Sequence, residues 1–252
     1  MTILEEPFAD VWTPTGLMRT YVYRPTEGGR YPGLVFFSEI FQVTAPIRRT
    51  AAFLAGHGFV VAVPEIFHDL ETPGCVLAYD PAGAERGNAD KIGRAVATYD
   101  GDAAAAVKLL QGHAACSGKV GAMGICIGGH LAFRAAMNPA VTAGACFYAT
   151  DIHKGSLGKG GDDSMARIAG GALEHAEVMM VWGRQDPHIP VEGRRAIYDA
   201  LTAAGANFTW HEFNAAHAFV RDEGSGGRYD PDLARQALGL AIEMLRRRLA
   251  SG

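Results

Sequence analysis

Short runs of consecutive apolar residues recur along the chain, separated by stretches whose apolar positions return at helical spacing. Residues 33–37 (GLVFF) and 59–63 (FVVAV) are continuous apolar runs, the pattern of strands buried on both faces as in parallel sheets. Four further segments, 119–124, 141–148, 178–182 and 208–213, read as strands of the same series. Between them, 46–57, 100–111, 128–137, 191–204 and 232–249 read as helices, with Gly58 stopping the first. Residues 7–24 differ. They predict two antiparallel strands around the turn Thr13-Pro14-Thr15-Gly16. Residues 68–90 read as polar and turn-rich, and 154–164, rich in Gly, Ser and Asp, as a surface loop.

Strands that alternate with helices predict an α/β fold: a mostly parallel central sheet, helices on both faces, and an antiparallel N-terminal hairpin. No segment has the composition of an interdomain linker and no fixed-period repeat is visible, so residues 1–252 are expected to form a single domain. Composition narrows the function classes. The chain is 48% hydrophobic and 20% charged, outside the range of disordered chains. Its net charge of −4 provides no electrostatic case for nucleic acid or an anionic membrane. The N-terminus is acidic and lacks a basic, apolar leader pattern, so a cytoplasmic, reducing location is the expectation. There the four cysteines are thiols before they are crosslinks. The 32 glycines exceed the average usage of ~7% and point to tight turns between packed elements.

In an open α/β sheet, ligands bind beyond the carboxyl ends of the strands, so the residues just after each apolar run carry the candidate chemistry. Gly124-Ile125-Cys126-Ile127-Gly128-Gly129 lies between a strand and an Ala-rich helix and has the form G-x-C-x-G, the thiol version of the nucleophile elbow. Small flanking residues suit a turn that sharp, and the following helix N-terminus favours a thiolate and an oxyanion. Asp186 follows the 178–182 strand in a Gly/Pro turn, and His217 follows the 208–213 strand among small residues. Nucleophile, acid and histidine thus come in the order of an α/β-hydrolase triad. His211, inside its strand, reads as a packed or solvent-facing histidine. Cys75, Cys116 and Cys146 show no paired metal-ligand spacing and H-E-x-x-H is missing, so neither metal nor cofactor is expected.

These three residues and their contexts (G-x-C-x-G-G, G-x-x-D-x-x-x-P, A-x-H-x-F) resemble the dienelactone hydrolase family of α/β-hydrolases, over nearly the whole chain. The resemblance implies a Cys126–His217–Asp186 triad. It implies that Glu39, in Phe37-Ser38-Glu39-Ile40-Phe41, contacts the cysteine and helps activate it when substrate binds. It further implies an oxyanion hole at the N–H groups of Ile40 and Ile127, and a substrate carboxylate held by Arg221 and Arg86. The implied reaction opens a small anionic enol-lactone, of the dienelactone to maleylacetate type, through a thioester acyl-enzyme. A small-ester carboxylesterase or thioesterase on the same scaffold is the alternative, and a non-catalytic binding protein a third. Expected partners are a small lactone or ester, with no nucleic acid and no membrane, in a monomer or small homo-oligomer.

Overall fold

The computed structural model describes residues 1–224 and 226–250. In chain order the strands and helices are β1 (Ile3–Glu5), β2 (Ala9–Thr13), β3 (Gly16–Pro25), β4 (Tyr31–Phe37), α1 (Ala45–Gly56), β5 (Val60–Pro64), α2 (Pro81–Gly93), α3 (Val96–Gly112), β6 (Cys116–Ile125), α4 (Ile127–Ala135), β7 (Val141–Phe147), α5 (Ser164–Ala169), β8 (Glu177–Gly183), α6 (Val191–Ala203), β9 (Asn207–Phe213) and α7 (Pro231–Ala250). The strands form one mixed sheet in the order β1-β3-β5-β4-β6-β7-β8-β9, with β2 paired to β3. Pairs from β5 through β4 to β9 are parallel, and β1, β2 and β5 pair antiparallel with β3. This is the α/β-hydrolase arrangement with an N-terminal hairpin.

Two glycines show how the sheet is covered. An added Cβ at Gly33 would meet Leu110 of α3, whereas one at Gly121 would meet Leu245 and Leu249 of α7. Gly33 pairs with Val120 and Leu34 with Gly121, so the two glycines face opposite sides and their helices lie on opposite faces. The core between them is apolar throughout: Leu34, Val35, Phe36, Val61, Val63, Ala122, Met123, Ala145, Met180 and Val181 are fully or nearly fully buried. A strand sandwiched in this way has no polar face to show, which is why its sequence reads as a run and not as an alternation.

The chain passes from β4 to β5 on one side and returns to β6 on the other, with Phe37 opposite Gly124. The carboxyl ends of β4 and β6 therefore diverge at a topological switch point, where open α/β sheets place their ligands.

Two predicted loops are corrected. The stretch read as turn-rich contains α2, with Asp80 as N-cap accepting from the Gly83 N–H at 2.7 Å and Pro81 in the first turn. Its pattern hides because only Gly83 and Gly87 of the helix are buried. They fit against carbonyls: an added Cβ would lie 2.1 Å from Ala78 O and 2.4 Å from Ile40 O. The 154–164 stretch is not simply surface. The Asp162 carboxylate is fully buried, receiving Ser164 Oγ at 2.6 Å and Arg134 at 3.3 Å, and Leu157 is buried with it.

Candidate active site

Cys126 stands between β6 and α4 with φ 61° and ψ −126°, a conformation that side chains other than glycine rarely adopt. Its surroundings impose it. A Cβ at Gly124 would lie 1.9 Å from Gly128 O, one at Gly128 2.3 Å from Phe37 O, and one at Gly129 2.5 Å from Phe147 O. The elbow is locked by Cys126 N–H donating to Phe147 O at 3.1 Å and by Gly129 N–H donating back to Cys126 O at 3.0 Å. The turn thus holds the thiol at the sheet edge. Ile127 opens α4, so its N–H has no acceptor within the helix. Ile40 sits in the turn after β4, closed by Gln42 N–H to Glu39 O at 3.0 Å, and lines the same cavity as Cys126.

Asp186 and His217 come together through another close approach. An added Cβ at Gly183, the last residue of β8, would lie 2.5 Å from Ala215 O. Gln185 N–H donates to that carbonyl at 2.9 Å, so the loops after β8 and β9 run side by side. Asp186 Oδ2 then accepts from His217 Nδ1 at 2.6 Å, and both residues are buried. Burial works against charge on His217, but its interactions with Cys126 and Asp186 outweigh burial and raise its pKa to about 10. The imidazole therefore holds its proton at neutral pH.

That proton has a consequence for stability. The folded pKa of about 10 lies above the reference of 6.5, so the contribution is complete below pH 6.5 and is lost as pH climbs through about 10. The wild-type melting temperature should fall between pH 7 and 10. The fall should be smaller in Cys126→Ala, where the stronger of the two raising charges is gone. Calorimetric scans across this range test it, and equal falls in both proteins would show that Cys126 does not hold the proton on His217.

Glu39 is almost fully buried, and burial, outweighing Arg221, pushes its pKa up. Its carboxylate accepts from Arg221 at 3.1 Å and from the Tyr79 hydroxyl at 3.1 Å. Arg221 in turn lies over the Tyr79 ring, 4.2 Å from its centroid. Glu39 thus lines the cavity, with its two oxygens occupied by Arg221 and Tyr79.

The cavity holds about 480 Å3 and is lined by Glu39, Ile40, Cys126, His217 and Arg221 together with residues the sequence did not single out: Tyr79, Lys91, Asp151, His188 and Arg228. Lys91 pairs with Asp151 at 2.9 Å. For Asp151, burial acts to raise the pKa, but Lys91 prevails and holds it below the usual carboxylate value. His188 could have been found, since it lies two residues past Asp186 in the same turn. Lys91 could not, because its helix has no apolar stripe in the sequence. Arg86 is a correction: it lies on the outer side of α2, its side chain largely exposed and paired with Glu71 at 2.7 Å, and it does not line the cavity. A helix turns about 100° per residue, so position 86 points away from the face that carries 84, 88 and 91 inward.

A family model described as the dienelactone hydrolase family matches residues 18–249. A Saccharomyces cerevisiae protein provisionally named carboxymethylenebutenolidase is 39% identical, over 98% of this chain and 93% of its own. The carboxymethylenebutenolidase of Pseudomonas putida is 31% identical over 77% of this chain and 78% of its own. Among solved structures, a dienelactone hydrolase-like promiscuous phosphotriesterase from metagenomic libraries superposes with a TM-score of 0.78 at 19% identity, covering 98% of each chain, which shows a shared fold.

Proposed function

Since the chain belongs to the dienelactone hydrolase family, we propose that it hydrolyses small enol-lactones or esters bearing an acid group, with Cys126 as nucleophile. The observation that carries this reading is the strained Cys126 facing a protonated His217, which Asp186 binds at 2.6 Å. The thiolate attacks the ring carbonyl, forming an S–C bond, and the oxyanion accepts the N–H groups of Ile127 and Ile40. The C–O bond breaks and the departing enolate takes the proton from His217. The neutral imidazole, held in orientation by Asp186, then removes a proton from water as the hydroxide attacks the thioester. Loss of the thiolate regenerates the ion pair, and the new acid ionises into solvent.

A cavity of about 480 Å3 admits a small ring or short ester and not a long acyl chain. No helix among the described residues is long and apolar enough to cross a membrane. Substrate charge meets Arg221 beside Glu39, with Lys91 and Arg228 also lining the cavity. The pairing of Arg221 with Glu39 favours a second reading, a general small-ester hydrolase, because a neutralised arginine discriminates less for an anion.

The two readings separate in one comparison. For dienelactone, Arg221→Ala should lower kcat/KM by about 10–100-fold, the loss of a charge-assisted hydrogen bond of ~1.5–3 kcal/mol. A neutral p-nitrophenyl ester should be affected much less, and Arg86→Ala should change neither rate more than about twofold. Equal losses on both substrates would favour the general esterase.

A further inference from the structure

A catalytic triad needs one imidazole, and here a second lies against the first. Asp186-Pro187-His188 forms a tight turn in which Asp186 Oδ1 accepts the His188 backbone N–H at 2.8 Å. The turn brings the exposed His188 ring edge-on to His217, with centroids 4.6 Å apart and planes at 71°. One donor atom from each of Asp186, His188 and His217 lies within 4.8 Å of the other two. Among the described residues neither His188 ring nitrogen has a hydrogen-bond partner, so a donor is free to turn inward. Two imidazoles and one carboxylate, with a cavity alongside, form the donor set of a borderline-soft divalent ion.

From this geometry we infer that the Asp186–His188–His217 cluster binds zinc(II), and that zinc so bound stops the hydrolase. Tetrahedral bonds of about 2.0–2.2 Å place donors roughly 3.3 Å apart, so Asp186 and His217, at 2.6 Å, part slightly while the third donor closes by about 1.5 Å at most. Rotation of the exposed His188 ring supplies most of that. The ion takes the place of the proton shared by Asp186 and His217, and that proton is released to solvent. His217 then becomes a neutral ligand, and the single proton left on its other nitrogen is far less acidic than an imidazolium proton, so the leaving group is no longer protonated efficiently. Magnesium and calcium, which prefer all-oxygen shells, do not suit this set. Binding stands on the cluster alone, whereas inhibition rests on the proposed role of His217.

Titration of the full chain with zinc chloride in chelator-free buffer, by calorimetry and by residual p-nitrophenyl ester hydrolysis, tests both parts. Wild type should bind one ion and lose activity in step, with EDTA restoring it. His188→Ala, at an exposed position, should weaken binding by about 100-fold, and its own activity should resist zinc to the same degree. Cys126→Ala, inactive in catalysis, should still bind one ion. Loss of binding in Cys126→Ala with retention in His188→Ala would place the ion on the thiol and overturn the proposal. Absence of 1:1 binding in the wild type would do the same. Tight binding without inhibition would overturn the inhibitory site while leaving the hydrolase reading untouched.

Discussion

Cys126→Ala is expected to lower kcat on small esters and lactones by about 10⁴-fold or more, because a triad without its nucleophile retains only the catalysis of its oxyanion hole and binding surface. The expectation follows from position. Cys126 is the cavity residue at the elbow, it makes the largest contribution that raises the pKa of His217, and its backbone conformation costs of order 1–3 kcal/mol that a merely structural cysteine would not repay. Cys116 and Cys146 are buried elsewhere, and burial pushes both thiols up, away from the thiolate. Single-turnover mass spectrometry should find the acyl group on Cys126 in the wild type and on no cysteine in the variant. Full activity in a folded Cys126→Ala protein would falsify the thioester mechanism.

The second large effect concerns the elbow itself. Gly128→Ala places a methyl 2.3 Å from Phe37 O and 2.5 Å from Ser38 O, both backbone atoms at the end of β4. No side-chain rotation relieves such a contact, so β4 and α4 must part. Overpacking of this kind costs about 3 kcal/mol. The displaced strand end carries Glu39 and Ile40, so the proposed oxyanion donors separate together with the loss of stability. Urea denaturation should show the midpoint falling. At temperatures where the variant is still folded, kcat should drop by about 100-fold or more, the value of one oxyanion donor. A variant with wild-type stability and rate would show that the close packing is not required.

Much of this was legible along the chain. The buried strands announced themselves because both of their faces are covered, leaving runs such as 33–37 and 59–63 with no polar position. The elbow announced itself because carbonyls of β4 and β7 stand where Cβ atoms would be, which only glycine accommodates. Asp186 and His217 follow their strands because the fold puts chemistry at strand ends. Helix α2 was not legible, since a helix that docks through Gly83 and Gly87 leaves no apolar stripe to count. The placement of Arg86 was lost with it.

What the sequence alone determined was therefore the local and periodic part: fold class, strand order of the candidate triad, and the need for small residues around Cys126. These depend on neighbours in the chain or on a repeating environment. Tertiary structure decided which charges meet. It paired Glu39 with Arg221, 182 residues apart, and Lys91 with Asp151. It also turned Arg86 outward to Glu71 and set His188 against His217. Such pairings depend on the rotation of a helix and the course of a loop, and Coulomb energy follows the distance between charges in space, which sequence spacing does not give.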